Sequence, residues 1–410
     1  MARWDRGLSL LVLVASGLMA PAPAGAQDDP PETRQEILRR QREHKARDLE
    51  PYVVSNAEAR VLALEDMHVP ANVFERGWNR IRPLIGGMPS GSGLVGGVSY
   101  LNDLHREAFE FELAARVSTR LFTSFDGEIR FPAARSPASL QARVGARATD
   151  YRGLRFFGLG ADTRSRDRTT YHLEERGVDL GVEGEFGRVR FGVDGGWLQA
   201  EATEGLVGTS LEERFEPSAI PGFATSTTFF HYGASAALDL RDDIAPGAGV
   251  VLRGEIGRYD DLDLSRFDFW RVAGEVQGHI PLGVRSRMLA LRARVTRSSP
   301  ADGAAVPFYL MDTIGGGSTL RGFREYRFRD THTVLLSAEY RWELWAYLDA
   351  AIFVDGGTVF GDAPRLDVHD LETAVGFGFR AHGPAGTVLR FDLARSREAI
   401  KVHIGGGPSF

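Results

Sequence analysis

The sequence predicts an all-β protein, a transmembrane antiparallel β-barrel of about 16 strands. Three observations carry that expectation. Apolar and polar residues alternate with a period of two in segment after segment from Gly91 onward. The segments are long, close to the roughly 9–11 residues that a tilted spanning strand needs. Beyond the N-terminus no apolar run reaches the roughly 18 residues of a spanning helix.

Taken in order, the chain opens with Arg3 and Arg6, the short apolar run Leu8 to Met19, and Ala24-Gly25-Ala26. That pattern predicts a secretory signal peptide over residues 1–26, because the run is too short for an anchor and ends in small residues suited to cleavage. Residues 27–77 read as an N-terminal periplasmic extension, helical or disordered. Glu32 to Glu50 is dense in Arg, Glu, Gln and Lys with little to bury. The extension is read either as a flexible tail or as a peptide that docks into the barrel mouth or onto a periplasmic partner protein.

The barrel is expected over residues 78–410. Phe109, Phe111, Leu113, Ala115 and Val117 alternate with Glu110, Glu112, Ala114, Arg116 and Ser118. Leu140 to Arg147, Val178 to Glu183, Leu289 to Thr296 and Val334 to Leu344 repeat the pattern. Alternation gives one wet face and one apolar face. A soluble sandwich would turn the wet face outward, whereas a membrane barrel turns it into the lumen. Aromatic residues near strand ends favour the membrane. Tyr100, Phe131, Tyr259, Phe269, Trp270, Trp342, Trp345 and Phe360 are expected to form interfacial girdles. Thr203 to Ser226 and Ser298 to Asp330 read as extracellular loops. Arg241-Asp242-Asp243 and Gly283-Val284-Arg285 read as tight turns.

Composition narrows the function classes. A formal net charge of -6 argues against a nucleic-acid partner. There is no cysteine, so disulfides and thiolate chemistry are excluded. The histidines show no metal-ligand spacing, and neither a Gly-x-Ser-x-Gly elbow nor a phosphate loop is present. No enzyme activity, cofactor or metal is expected.

One stretch stands apart. Gly315-Gly316-Gly317-Ser318-Thr319-Leu320-Arg321-Gly322-Phe323 is a glycine-rich loop with an arginine at its tip. Downstream lie Ser337-Ala338-Glu339-Tyr340-Arg341-Trp342 and Phe353-Val354-Asp355-Gly356-Gly357-Thr358-Val359-Phe360. Glu339 and Asp355 fall on the polar parity of their strands, so both are expected in the lumen. Arginine presents a planar fork that holds carboxylates bidentately. These three motifs, in this order and spacing, resemble the BamA/TamA superfamily of outer-membrane proteins, the bacterial surface antigen family. Arg155-Phe156-Phe157-Gly158-Leu159-Gly160 and the terminal Phe410 are weaker echoes.

The resemblance implies a cell outer-membrane location in a Gram-negative-type bacterium. It implies a barrel that inserts or translocates unfolded outer-membrane or secreted polypeptides, in contact with outer-membrane lipids and as a monomeric barrel. It also implies a loop lock, in which Arg321 bonds Glu339 and Asp355 while Gly322 and Phe323 seat the loop tip. In a wet lumen such a pair is expected to be worth less than in a dry interior. Residues 27–77 are too short and too polar for the polypeptide-transport-associated repeats that many family members carry. A passive pore or structural barrel without insertase activity is the alternative reading, and a barrel-embedded enzyme is a third.

The barrel seam is expected between a last strand, Ala399 to Phe410, and a first strand near Gly93 to Leu101. Ile400, Val402, Ile404 and Phe410 share the lipid-facing parity. Gly405, Gly406, Gly407 and Pro408 weaken the last strand by backbone entropy and a missing donor. The site therefore combines a lateral seam with a C-terminal signal at Phe410.

Overall fold

A computed structural model of the chain describes residue 40 and residues 80–410, except 103–108, 135–138, 243–247, 284–286, 346, 362–369, 384–385 and 408. The expectations for residues 1–26 and 27–77 lie outside the described residues, Arg40 apart. Two of the expected tight turns fall partly outside them as well.

Sixteen strands form one antiparallel sheet in sequence order. They begin with β1 (Ile81–Ile85), β2 (Val95–Asn102), β3 (Glu110–Ser118), β4 (Thr123–Ala134), β5 (Ser139–Phe156) and β6 (Thr169–Phe186). They continue with β7 (Val189–Glu204), β8 (Ser226–Asp239), β9 (Gly249–Asp261), β10 (Phe269–Pro281) and β11 (Arg287–Pro300). A separate hairpin, β12 (Asp312–Ile314) and β13 (Phe328–Asp330), lies in the connection that follows. The wall resumes with β14 (His332–Trp345), β15 (Leu348–Phe360), β16 (Glu372–Gly383), β17 (Gly386–Ser396) and β18 (Ile400–Gly405).

The faces of this sheet are inverted relative to a soluble sandwich. On β10, Ala273, Glu275, Gln277 and His279 are buried, while Val272, Val276 and Ile280 are exposed. On β14, Ser337 and Glu339 are buried and Leu336 is exposed. An apolar outer face around a polar interior is stable only against lipid. The wall is uneven in height. β5 and β6 have 18 residues each, whereas β1 has 5 and β18 has 6.

Three expectations are corrected here. The first strand is β1, not a strand near Gly93 to Leu101. The latter is β2, which pairs with β1 on one side and β3 on the other, so it cannot border the seam. Tyr259 and Phe269 leave the girdle and turn inward, with Phe269 wholly buried and the two rings stacked at 4.6 Å. Phe410 also leaves the lipid-facing parity, because the chain turns at Gly407 (φ +75°). Ile400, Val402 and Ile404 do face outward.

The loop end is capped by a dome. Phe308 is fully buried among Phe156, Tyr171, Phe223 and Tyr309, with Tyr171 at 4.7 Å. Leu211 and Ile220, from the β7–β8 connection, pack into the same cluster. Burying an aromatic side chain contributes about 1.5–3 kcal/mol, so these loops are folded structure rather than loose covering.

Candidate functional site

The connection between β11 and β14 folds into the barrel. Gly315 (φ +123°) and Gly316 (φ +94°) adopt backbone that side chains disfavour. The Thr319 hydroxyl closes the turn, accepting from the Gly315 amide and donating to the Gly315 carbonyl, both at 2.9 Å. Leu320 and Phe323 are fully buried with Ile314, Phe328, Val359 and Ala374. Gly322 is a close approach: a Cβ there would lie 2.6 Å from that of Ala374 and 2.7 Å from that of Ser396. Two apolar anchors thus flank Arg321 and fix where its guanidinium points.

Arg321 meets both carboxylates singled out by the sequence. Its Nε and Nη2 donate to the two oxygens of Asp355 at 2.7 and 2.8 Å. Its Nη1 donates to Glu339 Oε2 at 2.6 Å. The guanidinium also stacks on Phe353, 3.3 Å from the ring centroid. Arg321 is 2% exposed, and Glu339 and Asp355 are 0% exposed. The expectation of a wet site is therefore corrected: the lumen is filled at this level. Burial alone would lower the Arg321 pKa, but Asp355 and Glu339 outweigh it and raise it.

The network is wider than the sequence motifs suggested. Glu339 also accepts from Arg341 at 2.8 Å and Arg380 at 3.0 Å. Arg380 pairs with Asp392 at 2.7 Å, and Arg390 lies 3.3 Å from the same carboxylate. Four arginines and three carboxylates thus interlock in a dry interior, where an unmatched charge is costly. Parity on β16 and β17 places Arg380, Arg390 and Asp392 in the lumen, but many lumen charges share that signal.

The terminal hairpin grips the loop backbone. His403 on β18 donates to the Arg321 carbonyl at 2.6 Å. Ser396 donates to the Gly322 carbonyl at 2.8 Å, and Arg390 to the Gly317 carbonyl at 3.0 Å. Arg327 joins Glu398, in the β17–β18 turn, to Thr163.

The C-terminus enters the same interior. The Ser409 hydroxyl accepts from Arg380 at 3.0 Å and donates to Glu339 at 3.0 to 3.1 Å. The Phe410 ring lies 5.5 Å from the Arg341 guanidinium and 5.9 Å from that of Arg292. Gly405, Gly406 and Gly407 form the bend that carries the chain inward.

The polar-in, apolar-out sheet and its inward-folded arginine loop narrow the comparison to outer-membrane barrels. The sequence profile of the Omp85 superfamily domain matches residues 132–405, well over half the chain. The chain belongs to the Omp85 superfamily. No curated protein matches it significantly. Among solved structures, it is similar to BamA from Haemophilus ducreyi lacking POTRA domains 1–3. That match has 14% identity, covers 84% of this chain and 77% of that one, and has a TM-score of 0.54. It is also similar to CdiB from Escherichia coli (15% identity, TM-score 0.48) and CdiB from Acinetobacter baumannii (14% identity, TM-score 0.47). The two alignments cover 79% and 76% of this chain but only 61% and 55% of those chains. Omp85 barrels reside in the outer membrane of Gram-negative bacteria, and they assemble or transport proteins rather than act as enzymes.

Proposed function

We propose that this Omp85 barrel inserts or translocates polypeptides at the outer membrane through a lateral seam between β1 and β18, with the Arg321 loop as the lock on that seam. The carrying observation is the sheet itself. It ends in two strands with no pairing to each other among the described residues. Both are far shorter than the roughly 9–11 residues of a spanning strand. An unpaired strand edge offers backbone donors and acceptors to an extended client segment, which adds by β-augmentation. The lock holds the β17–β18 hairpin through His403, Ser396 and Arg390, so releasing the loop frees one border of the seam. In this reading the long loops face the cell exterior and Phe410 acts as the C-terminal signal during the protein's own assembly.

The apolar dome and filled lumen do not suit a passive pore. Depletion of the protein, followed by outer-membrane proteomics and solute-uptake measurements, tests the assignment. Loss of specific barrel or secreted clients is expected. Unchanged protein composition with altered solute permeability would overturn it in favour of a pore.

A further inference from the structure

Backbone hydrogen bonds fix which groups each border of the seam presents. Between antiparallel strands, opposed residues alternate between pairs that exchange hydrogen bonds and pairs that do not. A residue that does not bond the neighbour on one side turns its amide and carbonyl to the other side.

Between β1 and β2, the Leu101 amide donates to the Arg80 carbonyl at 3.0 Å, and the Gly86 amide to the Val95 carbonyl at 3.1 Å. The register between them makes Arg82–Ser99 and Leu84–Gly97 the bonding pairs. Ile81, Pro83 and Ile85 therefore turn their backbone groups away from β2, toward the seam. The far side of β2 keeps the same phase: the Thr119 amide donates to the Leu94 carbonyl at 2.9 Å, so even-numbered residues of β2 serve β3.

At the other border, the Ser396 amide donates to the Ala399 carbonyl at 3.0 Å. The register then makes Ala394–Lys401, Asp392–His403 and Arg390–Gly405 the bonding pairs of β17 and β18. Ile400, Val402 and Ile404 turn their backbone groups toward the seam.

The two borders are unequal. Ile400, Val402 and Ile404 each present an amide and a carbonyl. On β1 the central position is Pro83, which has no amide hydrogen, so only Ile81 and Ile85 present donors. A proline whose missing donor faces outward is a device by which native sheets keep an edge from pairing. In closure against β1, the acceptor opposite Pro83 goes without its donor, whereas a proline-free segment supplies it. The side chains add a second criterion. Ile400, Val402 and Ile404 are exposed on the lipid-facing side, while Lys401 and His403 are half-buried on the lumen side. A strand that extends the sheet beyond β18 continues that alternation, apolar outward and polar inward.

We propose that β18 is the edge that receives an extended polypeptide, a proline-free segment of alternating apolar and polar residues, and that Pro83 keeps β1 from that role. This rests on the lateral-seam reading above and names the border of the seam that the client uses. β18 is also the border that the loop lock reaches, through His403.

The test captures a strand on single-cysteine variants of the full chain in detergent micelles. Ile400→Cys and Ile404→Cys report on β18, and Ile81→Cys and Ile85→Cys on β1. All four side chains lie on the exposed face, and heat-modifiable gel mobility verifies each fold. The probe is a synthetic peptide of about ten residues, alternating valine and threonine, with one valine replaced by cysteine. Disulfide yield is expected to be at least tenfold higher on β18 than on β1. N-methylation of the alternate peptide amides that face β18 should lower that yield about tenfold, since each lost hydrogen bond is worth about 0.5–1.5 kcal/mol. Adding Pro83→Val, which restores the donor, should bring the ratio between the edges at least threefold closer to one. Equal yields, a higher yield on β1, or a ratio unmoved by Pro83→Val would overturn the assignment. A disulfide-linked pair of Ile404→Cys chains formed in preference to the peptide adduct would give the edge to a second copy, and would overturn it too. Capture on β18 by a barrel whose depletion leaves client levels unchanged would keep this assignment and remove the proposed function. Capture on β1 with clients lost on depletion would do the reverse.

Discussion

His403 Nε2 donates to the backbone carbonyl of Arg321 across 2.6 Å. The contact ties the last strand of the wall to the tip of the loop that fills the lumen. Neither side chain of the Arg321–Asp355 pair is involved, so the coupling runs from the His403 side chain to the loop backbone. A movement of β18 away from β17 must break this bond or carry the loop with it.

Arg321→Ala removes the cation from the fully buried Asp355, while Glu339 keeps Arg341 and Arg380. Breaking a buried pair costs about 3–5 kcal/mol, and the dryness of this site puts the expectation within that range. The melting temperature should fall and protease should reach the connection between β11 and β14. Arg321→Lys should recover little, because an ammonium cannot bridge both Asp355 oxygens. Unchanged stability, protease access and cellular phenotype in Arg321→Ala would show that the pairing is not a functional lock.

Cysteines scanned along Ile81–Ile85 against Ile400–Gly405 should form a disulfide in the resting barrel. The chain has no native cysteine to confuse the result. Activity is expected to disappear on oxidation and return with reductant, while heat-modifiable gel mobility stays that of a folded barrel. Full activity with a closed seam would eliminate lateral opening.

His403→Ala deletes one hydrogen bond, worth about 0.5–1.5 kcal/mol. Because Arg321 keeps both carboxylates, the barrel should remain folded. Hydrogen exchange should nevertheless quicken in β18 and in residues 315–323 together. Faster exchange in β18 alone would disprove the coupling.

Phe308→Ala empties the centre of the dome and should cost about 3–5 kcal/mol. The loss should appear as proteolysis of the β7–β8 and β11–β14 connections in intact cells, with the lumen network still in place. Cleavage at the turns of the opposite end instead would contradict the assigned topology.

The lumen side of each strand was readable from alternation, which is why Glu339 and Asp355 were found with their arginine. Asp392, Arg380 and Ser409 were not, since lumen parity marks dozens of polar residues and only the fold selects those within reach of Glu339. β1 is hidden in the sequence for a different reason. Ile81-Arg82-Pro83-Leu84-Ile85 is short and carries a central proline, which argues against a strand inside a sheet. It is an edge strand, where a missing donor need not interrupt a ladder. Tyr259 and Phe269 differ from the expectation because an aromatic girdle and an aromatic dome draw on the same residues at the same strand ends. Phe410 differs from the expectation because parity cannot be carried through three consecutive glycines.

The inward course of Ser409 and Phe410 gives β18 a second attachment besides its hairpin partner β17. Ser409 holds Arg380 of β16 and Glu339 of β14, and the Phe410 ring lies against Arg341 of β14 and Arg292 of β11. The residues beyond β18 therefore reach strands with which β18 itself does not pair. Pulling β18 away from the wall would strain β11 and β14 as well, so the short last strand is braced from inside the barrel rather than by its own ladder alone.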